Sequence, residues 1–276
     1  MSEPQVYTHG DRLARKAAKD PKLASALVRY HQWKDASLSI VGRSNNEIRA
    51  LTDLLNAYKD AVEPIFDGRS NSAQEGLQPS ILEEFFGYLF SNVHEEVGQD
   101  LLRRPASSFI GLIFNPRDAR ALIEAPDFTL RAKDHDFVLG SLVTMTIQAE
   151  GSAALRSDQL VVPAVALECK RYLERNMLDE CAGTAERIKK ATPYCRYIVV
   201  SEYLKLDQAL PELSLIDEIY VLRKQRNLER GSGAALNPIY PELIIHLYED
   251  VIGHLKRVWW DPESGLTTGR VFNLPR

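Results

Sequence analysis

Residues 158–170 read DQLVVPAVALECK, an apolar run that ends abruptly in Glu168-Cys-Lys170. The run reads as a strand. Alternate residues of a strand share a face, so Val162, Ala164, Ala166, Glu168 and Lys170 line one side. Upstream the same two-residue period continues. SFIGLIF (108–114) is apolar, and NPRDARALIEAPD separates it from FTLRAKDHDFVLG (128–140), in which Phe128, Leu130, Ala132, Asp134, Asp136 and Val138 share a face. SLVTMTIQAEG alternates as well, and EGSAALRSD supplies the turn back into the first strand. Downstream, a helical stretch from about Leu173 to Ala191 is followed by short apolar strands, CRYIVVS (195–201) and DEIYVLR (217–223), and by a last helix, PELIIHLYEDVIGHLKRVWW. The middle of the chain is therefore a helix, three strands in a meander, a helix and two strands. That order predicts an α/β fold with a mixed sheet flanked by helices.

The N-terminal region, residues 1–76, reads as helices with breaks and is assigned to DNA contact or to a subunit interface. Ser44-Asn-Asn-Glu47 matches a capping box, with Ile48, Leu51, Leu55, Tyr58 and Val62 behind it at helical spacing. Asp67-Gly-Arg-Ser-Asn-Ser-Ala is a polar linker to the core, residues 77–276, which ends in the C-terminal helix. A second capping box, Ser80-Ile-Leu-Glu83, opens the next helix, whose apolar stripe is Ile81, Phe85, Tyr88 and Leu89. Glu83 thus has a cap to make. Glu84 lies within the stripe and has no such task.

Composition narrows the function. The 276 residues are 45% apolar and 26% charged, the proportions of a globular protein rather than a disordered or fibrous one. A formal net charge of −4 gives no support to a protein that merely coats DNA. The three cysteines, Cys169, Cys181 and Cys195, form no CxxC pair, so neither a zinc site nor a disulfide framework is read from them. No stretch approaches the roughly 20 apolar residues of a membrane helix, the opening residues contain no signal-peptide core, and a cytoplasmic location is expected.

Sheet geometry allows Asp136, Glu168 and Lys170 to meet at one point, with Asp134 on the same face as Asp136. Two carboxylates and a lysine are what metal-dependent phosphodiester cleavage requires. Oxygen ligands hold Mg²⁺, the ion acidifies water and offsets phosphate charge, and the lysine stabilises the anionic transition state. Asp/Glu-x-Lys occurs twice in the chain, and only Glu168-Cys-Lys170 ends a strand; the other, Asp20-Pro-Lys22, is interrupted by proline. Glu84 is the third candidate carboxylate. His135, on the opposite strand face from both aspartates, is expected to be packed or solvated. Two basic groups are candidates for DNA: Arg187, Lys189 and Lys190 on the helix after the Glu-x-Lys strand, and Arg223, Lys224, Gln225 and Arg226 in the loop leaving the last strand. Arg and Gln together suit the reading of base edges in a major groove.

The succession KDHDFVLG, a second strand, then VALECKRYLERNMLDECAGTAERIKKATPYCRYIVVSE resembles the PD-(D/E)xK nuclease superfamily. More narrowly, residues 77–226 resemble a subunit of the heterodimeric type II restriction endonucleases of the BbvCI kind. The resemblance implies a restriction-endonuclease-like core with Mg²⁺ at the acidic strands, Mn²⁺ substituting. Asp136 then matches the metal-binding aspartate, Glu168 the second metal carboxylate, Lys170 the catalytic lysine and Glu84 the helix glutamate of many members. It also implies double-stranded DNA as substrate, a related second subunit as partner, a short asymmetric recognition sequence with one strand cut per subunit, and a prokaryotic cell. One departure stands out: Asp136 follows His135, whereas the literal Pro126-Asp127 pair lies at the strand's far end and on its other face. Rival readings are a structure-specific or repair endonuclease of the same fold, and a DNA-binding protein without chemistry. Neither the partner's identity, as a different chain or a second copy, nor any contribution of Asp134 or Asp127 to the metal site is readable here.

Overall fold

The computed structural model describes residues 6–68, 76–124, 127–150, 153, 155–206, 211–231 and 235–269. The linker from Arg69 to Glu75 lies outside them. Helices α1 (Thr8–Ala17), α2 (Ala24–Ser39) and α3 (Asn45–Asp67) lead into α4 (Leu77–Leu89) and the short α5 (Val93–Val97). Strand β1 (Leu102–Phe114), the short helix α6 (Ala119–Glu124), β2 (Phe128–Gln148) and β3 (Leu155–Leu173) follow. Then come α7 (Arg175–Ala191), β4 (Arg196–Leu204), β5 (Glu218–Val221), α8 (Pro241–Lys256) and α9 (Pro262–Thr268).

The Ser44 box is present as the residues require. The Ser44 hydroxyl accepts from the Glu47 amide and the Glu47 carboxylate accepts from the Ser44 amide. The second box is absent. Gly76, with φ of +63°, turns the chain into α4 one turn earlier than Ser80. Pro79 is tolerated there because the amides of a first helical turn have no carbonyl partner to lose. Ser80 instead sits inside the helix with its Oγ donating to Leu77 O, which leaves Glu83 free.

The five strands lie in the order β1-β2-β3-β4-β5, antiparallel across β1/β2 and β2/β3 and parallel across β3/β4 and β4/β5. The mixed sheet is therefore as the sequence order predicts, with 128–140 and 141–148 forming one continuous strand, the middle one of the three-stranded meander. Alternation holds through the middle of β3 and β4. Val165, Leu167, Cys169, Ile198 and Val200 bury one face against α1–α4 and α8. Ala166, Tyr197 and Val199 bury the other against Leu178, Cys181, Ala185 and Ile188 of α7. The N-terminal helices thus share one continuous apolar core with a sheet face. Pro163, with no amide to give the ladder, falls at the irregularity between Leu139 and Gly140. A Cβ on Gly140 would lie 2.4 Å from the Val162 carbonyl oxygen, so only glycine fits this approach.

Candidate active site

Strands β2 and β3 pair from Gln148↔Leu155 as far as Phe137↔Leu167, and there they part. Below that point β2 continues beside β1 alone, and β3 beside β4. The first residue on each branch is an acid: Asp136 on one and Glu168 on the other. A bulge in the β1/β2 pairing falls at the same point. Between Arg104↔Val138 and Ala106↔His135, Asp136 and Phe137 together stand opposite Pro105. Bulges bend a strand and redirect its side chains.

The notch is closely wired. Asp136 Oδ2 accepts from the Cys169 amide at 2.7 Å. Lys170 Nζ donates to Glu168 Oε1 at 2.7 Å. Glu168 Oε2 is buried and accepts no hydrogen bond. Burial pushes the Asp136 carboxyl up to about 6, and the neighbouring Glu168 charge adds to this. Burial also works upward on Glu168, but His135 and Lys170 outweigh it and hold that carboxyl below its ordinary value. For Lys170 burial works downward, and the Glu168 and Asp136 carboxylates outweigh it, so its pKa is raised and it stays an ammonium. Asp136, Glu168 and Lys170 are thus brought together.

The helix glutamate facing this group is Glu83. Burial, then the charge of Asp136, pushes its carboxyl up to about 7, and Glu168 acts in the same direction. Arg12 of α1 stands 3.8 Å away at the rim. Glu84, expected here from its place in the apolar stripe, points elsewhere. Its Oε2 accepts from the Gly10 amide at 2.9 Å and its Oε1 from the Tyr88 hydroxyl, which ties α4 to the start of α1. The reason is that α4 is buried on almost every side, so its apolar stripe carried no directional information. Adjacent helical residues point about 100° apart, and the early helix start turns Glu83 toward the sheet.

His135 is packed, as expected, but on the face that carries Glu168. The bulge resets the alternation, and the ring lies against Tyr197 with Nδ1 3.9 Å from Glu168 Oε2. Asp134 is exposed and accepts from Ser107 Oγ. Asp127 pairs with Arg156 at the far end of the strand. A bulge was not readable from the alternation of FTLRAKDHDFVLG, and Gly76 ahead of Pro79 was the available signal for the true start of α4.

The basic loop is the larger correction. Arg223 is 1% exposed and Gln225 6%. Arg223 donates to Glu202 Oε2 at 3.0 Å, Glu63 Oε1 at 3.2 Å and Asn237 O at 2.7 Å. Gln225 bonds the backbone of Ala235 and Asn237. Both side chains are thus committed within the protein. Lys224, whose φ of 46° turns the chain between them, is exposed and pairs with Glu242, and Arg226 is exposed as well. On α7, Arg187 bonds its own helix at Gly183 O, Lys189 pairs with Asp217 at 2.6 Å and Lys190 with Glu186 at 2.7 Å. These three lie some 20 Å along α7 from its start beside Lys170, at about 1.5 Å per residue.

A family model described as Bpu10I restriction endonuclease matches residues 74–233, more than half of the chain, and spans β1–β5 with the whole notch. The chain belongs to the Bpu10I restriction endonuclease family. Its reaction is therefore site-specific cleavage of DNA, and enzymes of this kind generally depend on a divalent metal. A solved structure described as the native BbvCI A2B2 tetramer at low resolution matches with a TM-score of 0.72 and 21% identity, over 90% of this chain and 94% of that one. That likeness extends the shared fold to the N-terminal helices outside the family match. No curated protein matches. Among the described residues no helix is long and apolar enough to cross a membrane.

The notch suits a divalent ion. Among the described residues no three His, Cys, Asp or Glu side chains form a ready cage. Mg²⁺ rarely uses one, binding instead through one or two carboxylates together with substrate phosphate and water. Glu168 Oε2, buried and unpartnered, is an oxygen left for such an ion.

Proposed function

We propose that this endonuclease is Mg²⁺-dependent and that Asp136, Glu168 and Lys170 are its catalytic residues. Asp136 and Glu168 hold the cation, and Glu83, not Glu84, is the third acidic group of the site. The observation that carries this is the parting of β2 and β3 with an acid on each branch and Lys170 beside one of them. The bound ion would acidify a water and offset charge on the scissile phosphate. Lys170, an ammonium beside Glu168 and Asp136 in the metal-free protein, would donate to the phosphate oxygens as charge builds on them. The raised pKa values of Glu83 and Asp136 reflect carboxylates crowded together, whose ionised forms a bound cation would favour.

The partner is a related nuclease subunit, as the A2B2 arrangement of the fold's solved relative suggests, and each subunit cuts one strand of a short asymmetric site. Residues 1–76 and 77–276 then form one catalytic unit, with the N-terminal helices supplying Arg12 to the rim. Arg187, Lys190, Lys224 and Arg226, all exposed, are assigned to backbone phosphates rather than to bases. The family's cellular setting makes the prokaryotic cytoplasm the proposed location.

The test is Lys170→Glu assembled with an unaltered partner subunit. The substitution removes the cation beside the scissile phosphate and adds a negative charge to the acidic group, so one site should fall silent. Supercoiled plasmid should become open circle and go no further, with every nick on one strand. Continued linearisation would reject Lys170, and a wholly inactive assembly would reject independent sites.

A further inference from the structure

The bulge at the notch brings His135 into it. The residue is 4% exposed, and neither ring nitrogen has a hydrogen-bond partner. Nδ1 lies 3.9 Å from Glu168 Oε2, which is itself buried and unpartnered. The Tyr197 ring meets the imidazole edge-on, with centroids 6.0 Å apart and planes at 74°, and so fixes the plane of the ring. The other groups at the notch are engaged already: Lys170 on Glu168 Oε1, and Asp136 on the Cys169 amide. A buried polar group left without a partner destabilises a fold. Stability alone therefore does not account for an imidazole at this position.

We propose that His135 is a positioning residue for Glu168, donating its Nδ1–H to Glu168 Oε2 as the site closes on cation and DNA. A carboxylate oxygen carries two lone pairs, so Oε2 can accept from the imidazole on one and ligate with the other. Hydrogen bonds from outside the ligand shell orient metal-binding carboxylates and sharpen affinity. Such contacts are commonly long in the free enzyme and tighten only in the reacting complex. With Lys170 on one oxygen and His135 on the other, the Glu168 carboxylate would be held from both ends. The bulge puts the ring there: without the extra residue, His135 would stand on the opposite strand face and could not reach. This inference rests on the reading of Asp136 and Glu168 as the cation site.

The experiment is a Mn²⁺ titration of the full-length protein followed by electron paramagnetic resonance, on the wild type and on His135→Phe, His135→Asn and Glu168→Ala. Phenylalanine keeps the ring and removes both nitrogens; asparagine keeps an N–H close to the Nδ1 position. His135→Phe should bind Mn²⁺ about 10- to 100-fold more weakly while melting no lower than the wild type. Its cleavage should recover at high Mn²⁺, and His135→Asn should stay within a few-fold of wild-type affinity. Should the phenylalanine variant fail to fold, His135→Ala takes its place against His135→Asn. Wild-type affinity in the ring-only variant would overturn the inference. So would loss of affinity and of melting temperature together in both substitutions, which would make His135 a packing residue. Glu168→Ala separates the two readings. If it leaves Mn²⁺ affinity unchanged, the cation site itself is wrong; if it alone weakens binding, only the histidine is.

Discussion

Two clusters of buried charge in this protein follow opposite rules. In the first, Lys59 and Glu63 of α3, Glu202 of β4 and Arg223 after β5 close a ring. Lys59 Nζ lies 2.9 Å from both Glu63 Oε1 and Glu202 Oε1, and Arg223 bonds the same two acids at 3.2 and 3.0 Å. Two cations meet two anions. Burial works upward on Glu63, yet Lys59 and Arg223 outweigh it and hold its carboxyl below the ordinary value. In the second, Glu83, Asp136 and Glu168 share Lys170, with Arg12 at the rim, and two of the three carboxyls are pushed up to about 7 and about 6. Removing charge from water is tolerable when each charge finds its opposite and costly when it does not. The closed ring joins the N-terminal helices to the sheet. On the function proposed above, the open one would be completed by a cation and a phosphate from outside the chain.

The largest effect expected from breaking the open cluster is on the reaction. Asp136→Ala should lower plasmid cleavage by about 10³-fold or more, since a metal ion contributes several kcal/mol at the transition state. Asp127→Ala should leave cleavage near the wild-type rate, because its carboxylate is committed to Arg156 at the other end of β2. The reverse result would mean that the register of β2 is misassigned.

Breaking the closed ring should show in stability instead. Arg223→Met leaves two buried carboxylates to share Lys59 alone and should cost about 3–5 kcal/mol in urea unfolding. Lost sequence discrimination with unchanged stability would return this loop to base reading.

A smaller effect, with a defined sign, is expected at Glu83. Its folded-state pKa of about 7 lies above the ordinary carboxylate value, so the folded state favours the protonated form. The associated stability is present below the unfolded pKa, near 4.3 for a glutamate, and is lost as pH rises through 7. Glu83→Gln should therefore raise metal-free stability at pH 8, by up to about 3 kcal/mol, and leave it nearly unaltered at pH 4. Destabilisation at pH 8 would place Glu83 in a favourable ion pair.

Much of this contrast was legible in the sequence, and the rest has physical causes. The period-two runs that carry Asp136 and end in Glu168-Cys-Lys170 placed both acids on neighbouring strands, because strand alternation depends only on local geometry. The Ser44 box marked α3 for the same reason. Glu83 and His135 were misplaced because each depends on one backbone irregularity, the left-handed Gly76 and the bulge opposite Pro105, that hydrophobic patterning does not record. Arg223 and Gln225 were assigned to DNA because a basic loop looks solvated until its partners are known. Glu63 and Glu202, which bury Arg223, lie 160 and 21 residues away from it in the chain.

The central claim is that the open cluster is a cation site rather than a misfit of the fold. It is tested most directly by melting the wild type and Asp136→Asn at pH 8, with and without millimolar Mg²⁺. Asparagine keeps an acceptor for the Cys169 amide and removes the charge. Without metal, Asp136→Asn should melt higher, at about 2–4 °C for each kcal/mol of repulsion relieved. With Mg²⁺ the wild type should gain stability by mass action and the variant should gain little. A variant that melts lower without metal and gains as much from Mg²⁺ as the wild type would contradict the account.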